Sequence, residues 1–401
     1  MNRYPYQIGV GGLALSDYEK ELVNEVLESN RLTYGPKSKL LESEFAKIHM
    51  CRHGLFLNSG TSALEVALAA LKIKHGWSDG DEIIVPAVTF VATSNVVLHN
   101  NLVPVFVDVE ADTYNLDPNK IEEKITKRTR AIMPVHLLGL PADMDPILAI
   151  AKSFHLAVIE DSCETMFAKY KNKSVGSMGD IGCFSTYVAH FLVTGVGGFA
   201  ITNDDELATD MRSLMNHGRD NIYMSCSDDH GTNDKRFHEI VDRRFSFVHV
   251  GFSYRCTELE AAIGLGQLSR HEQIIYRRQE IAKKLTAGLK KHEEHIQLPY
   301  CPSDRTHSYM LYGIVLRESD KKKLIHFLES RNIETRDMLP VINQPIYIKL
   351  FGDLEKANPI AKWINSSGFY IGCHSYMTNE EIDFVLESFD QYFRIKSNNI
   401  R

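Results

Sequence analysis

Short, continuous apolar runs separated by helical patterns dominate the chain from about Leu55 to Gly251. Ile83-Ile84-Val85, Pro104-Val105-Phe106-Val107, Ala131-Ile132-Met133-Pro134-Val135 and Leu156-Ala157-Val158-Ile159 show no polar alternation. Each is expected to be a strand buried on both faces, as in a mostly parallel sheet covered by helices. Upstream, Ser16 with Glu19 three residues on predicts a capped helix start. Leu32 to Pro36 reads as a loop, and Lys37 to Met50 as a helix with apolar positions Leu40, Leu41, Phe45 and Ile48. A helix-rich connection from Thr257 to about Lys290 leads to a lobe with a strand at Tyr312–Leu316 and helices at Lys321–Arg331 and Asn379–Phe393. The pattern predicts an α/β protein, whose ligands sit at the carboxyl ends of the strands.

A chain of 401 residues fits two lobes. With 44% hydrophobic and 24% charged residues it has the composition of a globular protein. The formal charge of -7 argues against a nucleic-acid partner, which requires clustered positive charge. Lys321-Lys322-Lys323 is read as a solvated helix face. The N-terminus lacks an apolar signal segment and no uninterrupted apolar run approaches about 18 residues, so a soluble cytoplasmic protein that does not engage a membrane is expected. The 7 cysteines are scattered, without a Cys-x-x-Cys pair, and predict reduced thiols with neither a disulfide framework nor a metal site. Ile8-Gly9-Val10-Gly11-Gly12 is a weak match to a dinucleotide fingerprint, because no strand precedes it and no helix opens on it.

Four segments carry chemistry. Asn58-Ser59-Gly60-Thr61-Ser62-Ala63 precedes an apolar helix, where free N–H groups and the helix dipole attract an anion, although capping alone accounts for the same residues. Phe90 follows a strand and reads as core or as a ligand-facing ring. Asp161 and Glu164 follow another strand, at a ligand-binding edge or as a helix cap. His190 lies in an apolar run before Gly195-Val196-Gly197-Gly198, and is either a packing residue or a group that moves protons near neutral pH.

Phe184-Ser185, four residues, His190, four residues and the glycine turn together resemble the lysine segment of the DegT/DnrJ/EryC1/StrS sugar aminotransferases of fold type I. In these the lysine binds pyridoxal phosphate covalently; an imidazole cannot form that bond. The resemblance extends over essentially the whole chain through Ser59–Ala63, Pro86–Thr93, Ile159–Thr165, Asn216-His217-Gly218 and Gly251–Gly264. It implies an aspartate aminotransferase-like fold: an N-terminal arm and helix (1–35), a large cofactor domain with a seven-stranded sheet (36–256), and a connecting helix with a smaller α+β domain (257–401). By resemblance Gly60, Thr61, Ser62 and Ser185 hold the cofactor phosphate, Phe90 stacks on the pyridine and Asp161 pairs with its nitrogen. Glu164 stands where glutamine or histidine is usual. Ser253 stands where an asparagine reaches the neighbouring subunit's phosphate, which implies a homodimer with shared sites. Tyr34, His217, Arg219, Arg336 and His374 are expected on the sugar side.

His190 and Glu164 together are similar to the sugar 3-dehydratase branch. Residues 218–237 match in length an insert that carries an iron–sulfur cluster in the CDP-4-keto-6-deoxyglucose dehydrases. Cys226 stands alone there, beside Asn221, Tyr223 and Asp234, and one thiolate cannot hold such a cluster. Similarity to the cluster-free 3-dehydratases of GDP-4-keto-6-deoxymannose is therefore functionally closer. The expectation is a dehydratase of a nucleotide-linked 4-keto-6-deoxysugar, using non-covalent pyridoxamine or pyridoxal phosphate, with His190 catalytic and glutamate as amino donor. A lysine-less aminotransferase and a noncatalytic cofactor-binding relative are the alternatives, the latter supported by Val196 and Ser253.

Overall fold

In a computed structural model, the described residues are 3–220, 234–243, 245–317 and 321–399. The apolar runs form one half, β5-β4-β2-β3, of a seven-stranded sheet in the order β1-β9-β8-β5-β4-β2-β3; because β3 is its edge strand, Val103 and Val105 are only half-buried rather than covered on both faces. Its strands are β1 (His53–Leu57), β2 (Glu82–Pro86), β3 (Val103–Val107), β4 (Thr129–Ile132), β5 (Ala157–Asp161), β8 (Ile181–Ser185) and β9 (Gly198–Thr202). β8, β5, β4, β2 and β3 are parallel, as expected for strands without polar alternation, whereas β9 runs antiparallel to both of its neighbours. The short hairpin of β6 (Lys169–Tyr170) and β7 (Lys173–Ser174) connects β5 to β8.

Helices cover the sheet: α1 (Asp17–Ser29), α2 (Pro36–Ile48), α3 (Gly60–His75), α4 (Val91–His99), α5 (Met144–Phe154) and α6 (Asp205–Leu214). The predicted Ser16/Glu19 capping box is formed. α2 has only Gly35 at its N-cap; its free N–H groups are satisfied by Glu258, which accepts from Gly35, Lys37 and Ser38 at 2.8–2.9 Å.

After α7 (Asp234–Arg243), the helix-rich connection is two helices, α8 (Glu258–Ser269) and α9 (His271–Leu289), broken at Arg270. A second, antiparallel sheet follows in the order β10-β11-β13-β12, from β10 (Ile296–Gln297), β11 (Leu311–Leu316), β12 (Thr335–Asp337) and β13 (Gly368–Gly372). It packs with α10 (Lys321–Ser330), α12 (Pro359–Ser367) and α13 (Asn379–Asn399), whereas α11 (Pro345–Phe351) sets Tyr347 and Phe351 against Phe106 of β3 in the large-sheet core. Ile281, Leu285 and Leu289 of α9 join Ile314, Phe369 and Phe389 in its core, while Ile275, one turn and a half earlier, packs on the core of the large sheet.

The lysine run at the start of α10 is not wholly solvated. Lys321 is buried, and its ammonium donates to the Asn365 and Gly368 carbonyls at 2.6 and 2.9 Å and pairs with Asp337 at 2.8 Å. Three acceptors satisfy its three donors, which is how a buried lysine avoids an unpaired charge. The glycine-rich N-terminus is extended: Ile8 bridges Ile333 and Val10 donates to Glu334 at 2.8 Å, which gives no nucleotide-binding turn. Among the described residues no helix is long and apolar enough to cross a membrane.

Glu160 on β5 is fully buried. It accepts from His136 Nε2 at 2.9 Å and from the Gly176, Met178 and Gly179 N–H groups at 2.6–2.7 Å. Because Ala142 N–H donates to His136 Nδ1 at 3.0 Å, Nε2 is the protonated nitrogen. Glu160→Ala strands four buried donors, so equilibrium unfolding should show a loss of about 3–5 kcal/mol. A loss below about 1 kcal/mol would mean that water replaces the carboxylate.

Candidate active site

Four strands, β1, β2, β5 and β8, end on one edge of the large sheet, and predicted residues lie at or just after each end. β5 ends in Asp161, which is buried and accepts from Thr93 Oγ1 at 2.7 Å and from Cys163 N–H at 3.2 Å. Thr93 lies in the first turn of α4, and Thr89, one turn upstream, shares a hydroxyl contact with it at 2.7 Å. Phe90 caps the same helix with its ring exposed above this edge. Burial raises the Asp161 carboxyl above its usual range, against the pull of the Thr93 and Cys163 hydrogen bonds.

α3 starts at Gly60, and Ser59 caps it by accepting from Ser62 N–H at 3.0 Å. That leaves the Gly60 and Thr61 N–H groups as the first-turn donors directed at an anion. Ser62 also donates its hydroxyl to Asn58 at 2.7 Å, so its polar atoms shape the loop. A Cβ on Gly60 would stand 2.7 Å from both Cys163 Sγ and Ser185 Cβ, so the α3 N-terminus, Ser185 and Cys163 converge.

Beyond β8, residues 186–197 form a loop closed at its base. Thr186 and Thr194 share a hydroxyl contact at 2.6 Å, and Thr186 N–H donates to the Gly197 carbonyl at 2.9 Å. The glycine turn has separate physical causes. Gly195 has φ +90°, in the left-handed region, whereas a side chain on Gly198 would meet the Ser59–Gly60 backbone at 2.4–2.5 Å. Val196 between them is exposed.

His190 rides on this loop, half-buried, and its Nδ1 is a buried atom with no partner among the described residues. Its pKa is pulled down to about 4, first by burial and then by the Arg278 charge, with hydrogen bonding to the Cys163 backbone acting in the opposite direction. The imidazole is therefore neutral at physiological pH and able to accept a proton. Glu164 is buried, accepts from Leu138 N–H at 3.0 Å and is pushed up to about 8, by burial first. It holds its proton at neutral pH.

The sugar-side candidates separate. His374 is buried with Nδ1 unpartnered among the described residues, and its pKa is lowered to about 4 by burial and by Arg278. A Cβ on Gly12 would meet its ring at 3.1 Å, so the N-terminal segment lies directly against it. Arg336 on β12 pairs with Glu334. Tyr34 is committed elsewhere: its hydroxyl donates to Glu42 at 2.7 Å and accepts from Arg212 at 3.1 Å. His217, exposed, meets Arg255 at 3.1 Å, and Arg255 also donates to Ser253 at 3.1 Å. Arg219 lies over the rings of Phe245 and Phe247 at 5.5 Å each. Asn221, Tyr223 and Cys226 lie outside the described residues, and the side chain of Asp234 is not described. Among the described residues no cluster of three or more His, Cys, Asp or Glu is arranged to hold a metal.

Residues 14–390 match the model of the DegT/DnrJ/EryC1/StrS aminotransferase family. The chain belongs to that family. A GDP-perosamine synthase of Caulobacter vibrioides is 34% identical over 390 residues, covering 96% of this chain and 98% of the relative. A dTDP-4-dehydro-2,6-dideoxy-D-glucose 3-dehydratase of Saccharopolyspora spinosa is 33% identical over 400 residues, covering 95% and 85%. Among solved structures, the E. coli GDP-4-keto-6-deoxy-D-mannose-3-dehydratase with bound hydrated pyridoxal phosphate superposes with a TM-score of 0.86 at 26% identity, covering 96% and 100%. The fold is that of the aspartate aminotransferase-like, vitamin B6-dependent proteins, as the resemblance implied.

This edge fits the family's cofactor. The N–H-lined cradle at Gly60 and Ser185 would suit a phosphate, the buried Asp161 carboxyl would suit a pyridinium nitrogen, and the His190 nitrogen without a partner among the described residues lies on the loop that follows Ser185. Sequence reasoning missed Thr93, Cys163 and Arg278. Thr93 could have been found from its spacing to Thr89; the other two carry no signal in the sequence alone. Tyr370 on β13 was also missed. Burial, followed by the Glu164 charge, raises its hydroxyl, which puts it on the Glu164 side of the site.

Glu164 provides a test of this electrostatic description. The folded chain keeps a proton that the unfolded chain releases, so the group's contribution to stability is complete at low pH and is lost as pH rises through about 8. Glu164→Gln cannot titrate, and its urea midpoint should fall less than the parent's between about pH 6 and about pH 9. Equal slopes would mean that Glu164 is already ionised.

Proposed function

We propose that the chain is a dehydratase that removes the C3 hydroxyl of a nucleotide-linked 4-keto-6-deoxysugar, with pyridoxamine phosphate held non-covalently. The observation that carries this reading is His190, a neutral imidazole in place of the covalent lysine. When bound, the cofactor supplies an amine that joins the sugar ketone and a ring that withdraws electrons from the adjacent carbon. Gly60, Thr61 and Ser185 bind its phosphate, Asp161 holds the proton on its ring nitrogen, and Phe90 covers its face. His190 removes the proton from the carbon next to the amine and returns one to the departing C3 hydroxyl. Imidazole suits such a base-then-acid role. Glu164, protonated at neutral pH, provides a second donor nearby. Arg336 and His374 are assigned to the sugar, and glutamate to restoring the amine.

A second reading has its own support. The relatives include GDP-perosamine synthases, at 34 and 33% identity, whose name describes a product that keeps an amino group. An aminotransferase with His190 as its proton carrier would form the aminosugar and leave the C3 hydroxyl in place. Product mass separates the two readings when GDP-, CDP- and dTDP-linked 4-keto-6-deoxysugars are incubated with pyridoxamine phosphate and glutamate. Loss of oxygen at C3 is expected; an aminosugar that retains the hydroxyl would overturn the dehydratase reading.

His190→Asn should still bind cofactor and should lower turnover about 10²–10⁴-fold, the range for a positioned proton carrier. Turnover at the parent rate would reduce His190 to a packing residue. We also infer a homodimer, in which the exposed Ser253, Arg255 and His217 cluster faces a second copy. Light scattering should give twice the chain mass, and a monomer that binds cofactor tightly would count against it.

A further inference from the structure

Arg278 lies in the middle of α9, at 3% exposure, and makes no ion pair among the described residues. Its guanidinium is held by backbone carbonyls from three separate segments. One terminal nitrogen donates to Tyr309 at 3.2 Å, Met310 at 2.7 Å and Cys373 at 3.1 Å; the other donates to the His190 carbonyl at 2.9 Å. The cation also stands over the Phe191 ring, 4.8 Å from its centroid. A buried arginine without a carboxylate carries a large desolvation penalty, which carbonyl dipoles only partly offset. A neutral donor could cross-link carbonyls at less expense. The charge itself therefore requires an explanation.

We propose that Arg278 is a positioning residue: it fastens the His190 loop to the small-domain segments on either side of α9 and sets the electrostatic field at the imidazole. The proposal rests on the reading of His190 as the proton carrier. A fixed cation that stands behind the loop and is shielded from water acts at low effective dielectric and opposes a second positive charge on the ring. It thereby keeps His190 in its proton-accepting form across the physiological range, as burial also does. The same charge bears on His374, which lies next to Cys373 in the chain. The charged or titratable groups around the imidazole are Arg278 from α9 and Cys163 from behind β5, with Asp161 and Glu164 beside that cysteine. His374 feels the same Arg278 charge, and in the N-terminal segment Gly11 lies against the Val188 and Ala189 backbone. Burial holds Asp161 and Glu164 toward their neutral forms, so Arg278 is the fixed charge that dominates there.

The test is the titration of His190 in cofactor-free protein labelled with nitrogen-15 at histidine, its signal assigned by its loss in His190→Asn. In the parent the imidazole should titrate well below the ordinary value of about 6.5. Arg278→Gln removes the charge and keeps donors for the carbonyls, and should raise the His190 pKa by about one unit or more. Arg278→Lys keeps the charge and loses most of the clamp, and should leave that pKa near the parent's. An ordinary pKa in the parent protein overturns the proposal without recourse to any variant. An unmoved pKa in Arg278→Gln, or equal shifts in both variants, makes Arg278 a packing residue alone. These readouts involve no turnover, so they are independent of whether His190→Asn abolishes the reaction.

Discussion

The Glu160 carboxylate underlies the geometry of the site. Successive residues of a strand point to opposite faces, so Glu160 and Asp161 look away from each other across β5. Glu160 binds three N–H groups of the turn that leads into β8, and so sets how β8 lies beside β5. In that register Asp161 stands opposite Cys183, and Ser185 emerges two residues later, against Gly60. An apolar residue at position 160 would pack equally well but would leave the turn unbound. The Gly60–Ser185 cradle and the Asp161 carboxyl would then no longer be fixed with respect to each other.

A second constraint is that α9 serves two cores. Ile275 packs on the large-sheet core and Ile281 on the small-sheet core, and Arg278 falls between them, where neither side offers only apolar atoms. The carbonyls it gathers come from the His190 loop and from the ends of β11 and β13. Tyr347 of α11 adds a smaller link, meeting Ser94 at 2.8 Å and Asn95 at 2.5 Å on α4. Arg278 thus ties the His190 loop to segments beside two strands of the small sheet.

The titratable groups at this edge share one electrostatic condition. Burial raises Asp161 and Glu164 and lowers His190 and His374, so each is displaced toward its neutral form. Among the described residues Asp161, Glu164, His190 and His374 make no ion pair with one another, while Arg336 is paired with Glu334. A phosphate at the α3 N-terminus would meet the Gly60 and Thr61 N–H groups, and a cation facing Asp161 would favour its charged form. Charge arrives with the ligand, in surroundings where each resulting interaction is stronger than it would be in water.

The sequence by itself determined the α/β class, the parallel strands of the large sheet and the family. These follow from local periodicity and from short motifs whose glycines and hydroxyls have backbone causes: Gly195 requires a left-handed φ, and Ser59 caps α3. Only the tertiary structure decided what depends on groups distant in the chain. Tyr34, read as a sugar ligand, donates its hydroxyl to Glu42 and accepts from Arg212, and Lys321, read as solvated, is enclosed by three acceptors. Arg278 carries no signal in the sequence, because nothing local indicates that it meets a carbonyl 88 residues away. Neutral forms at His190 and Glu164 were equally illegible, since a pKa is set by desolvation and by the charges that folding brings close, and neither is a property of neighbours in sequence.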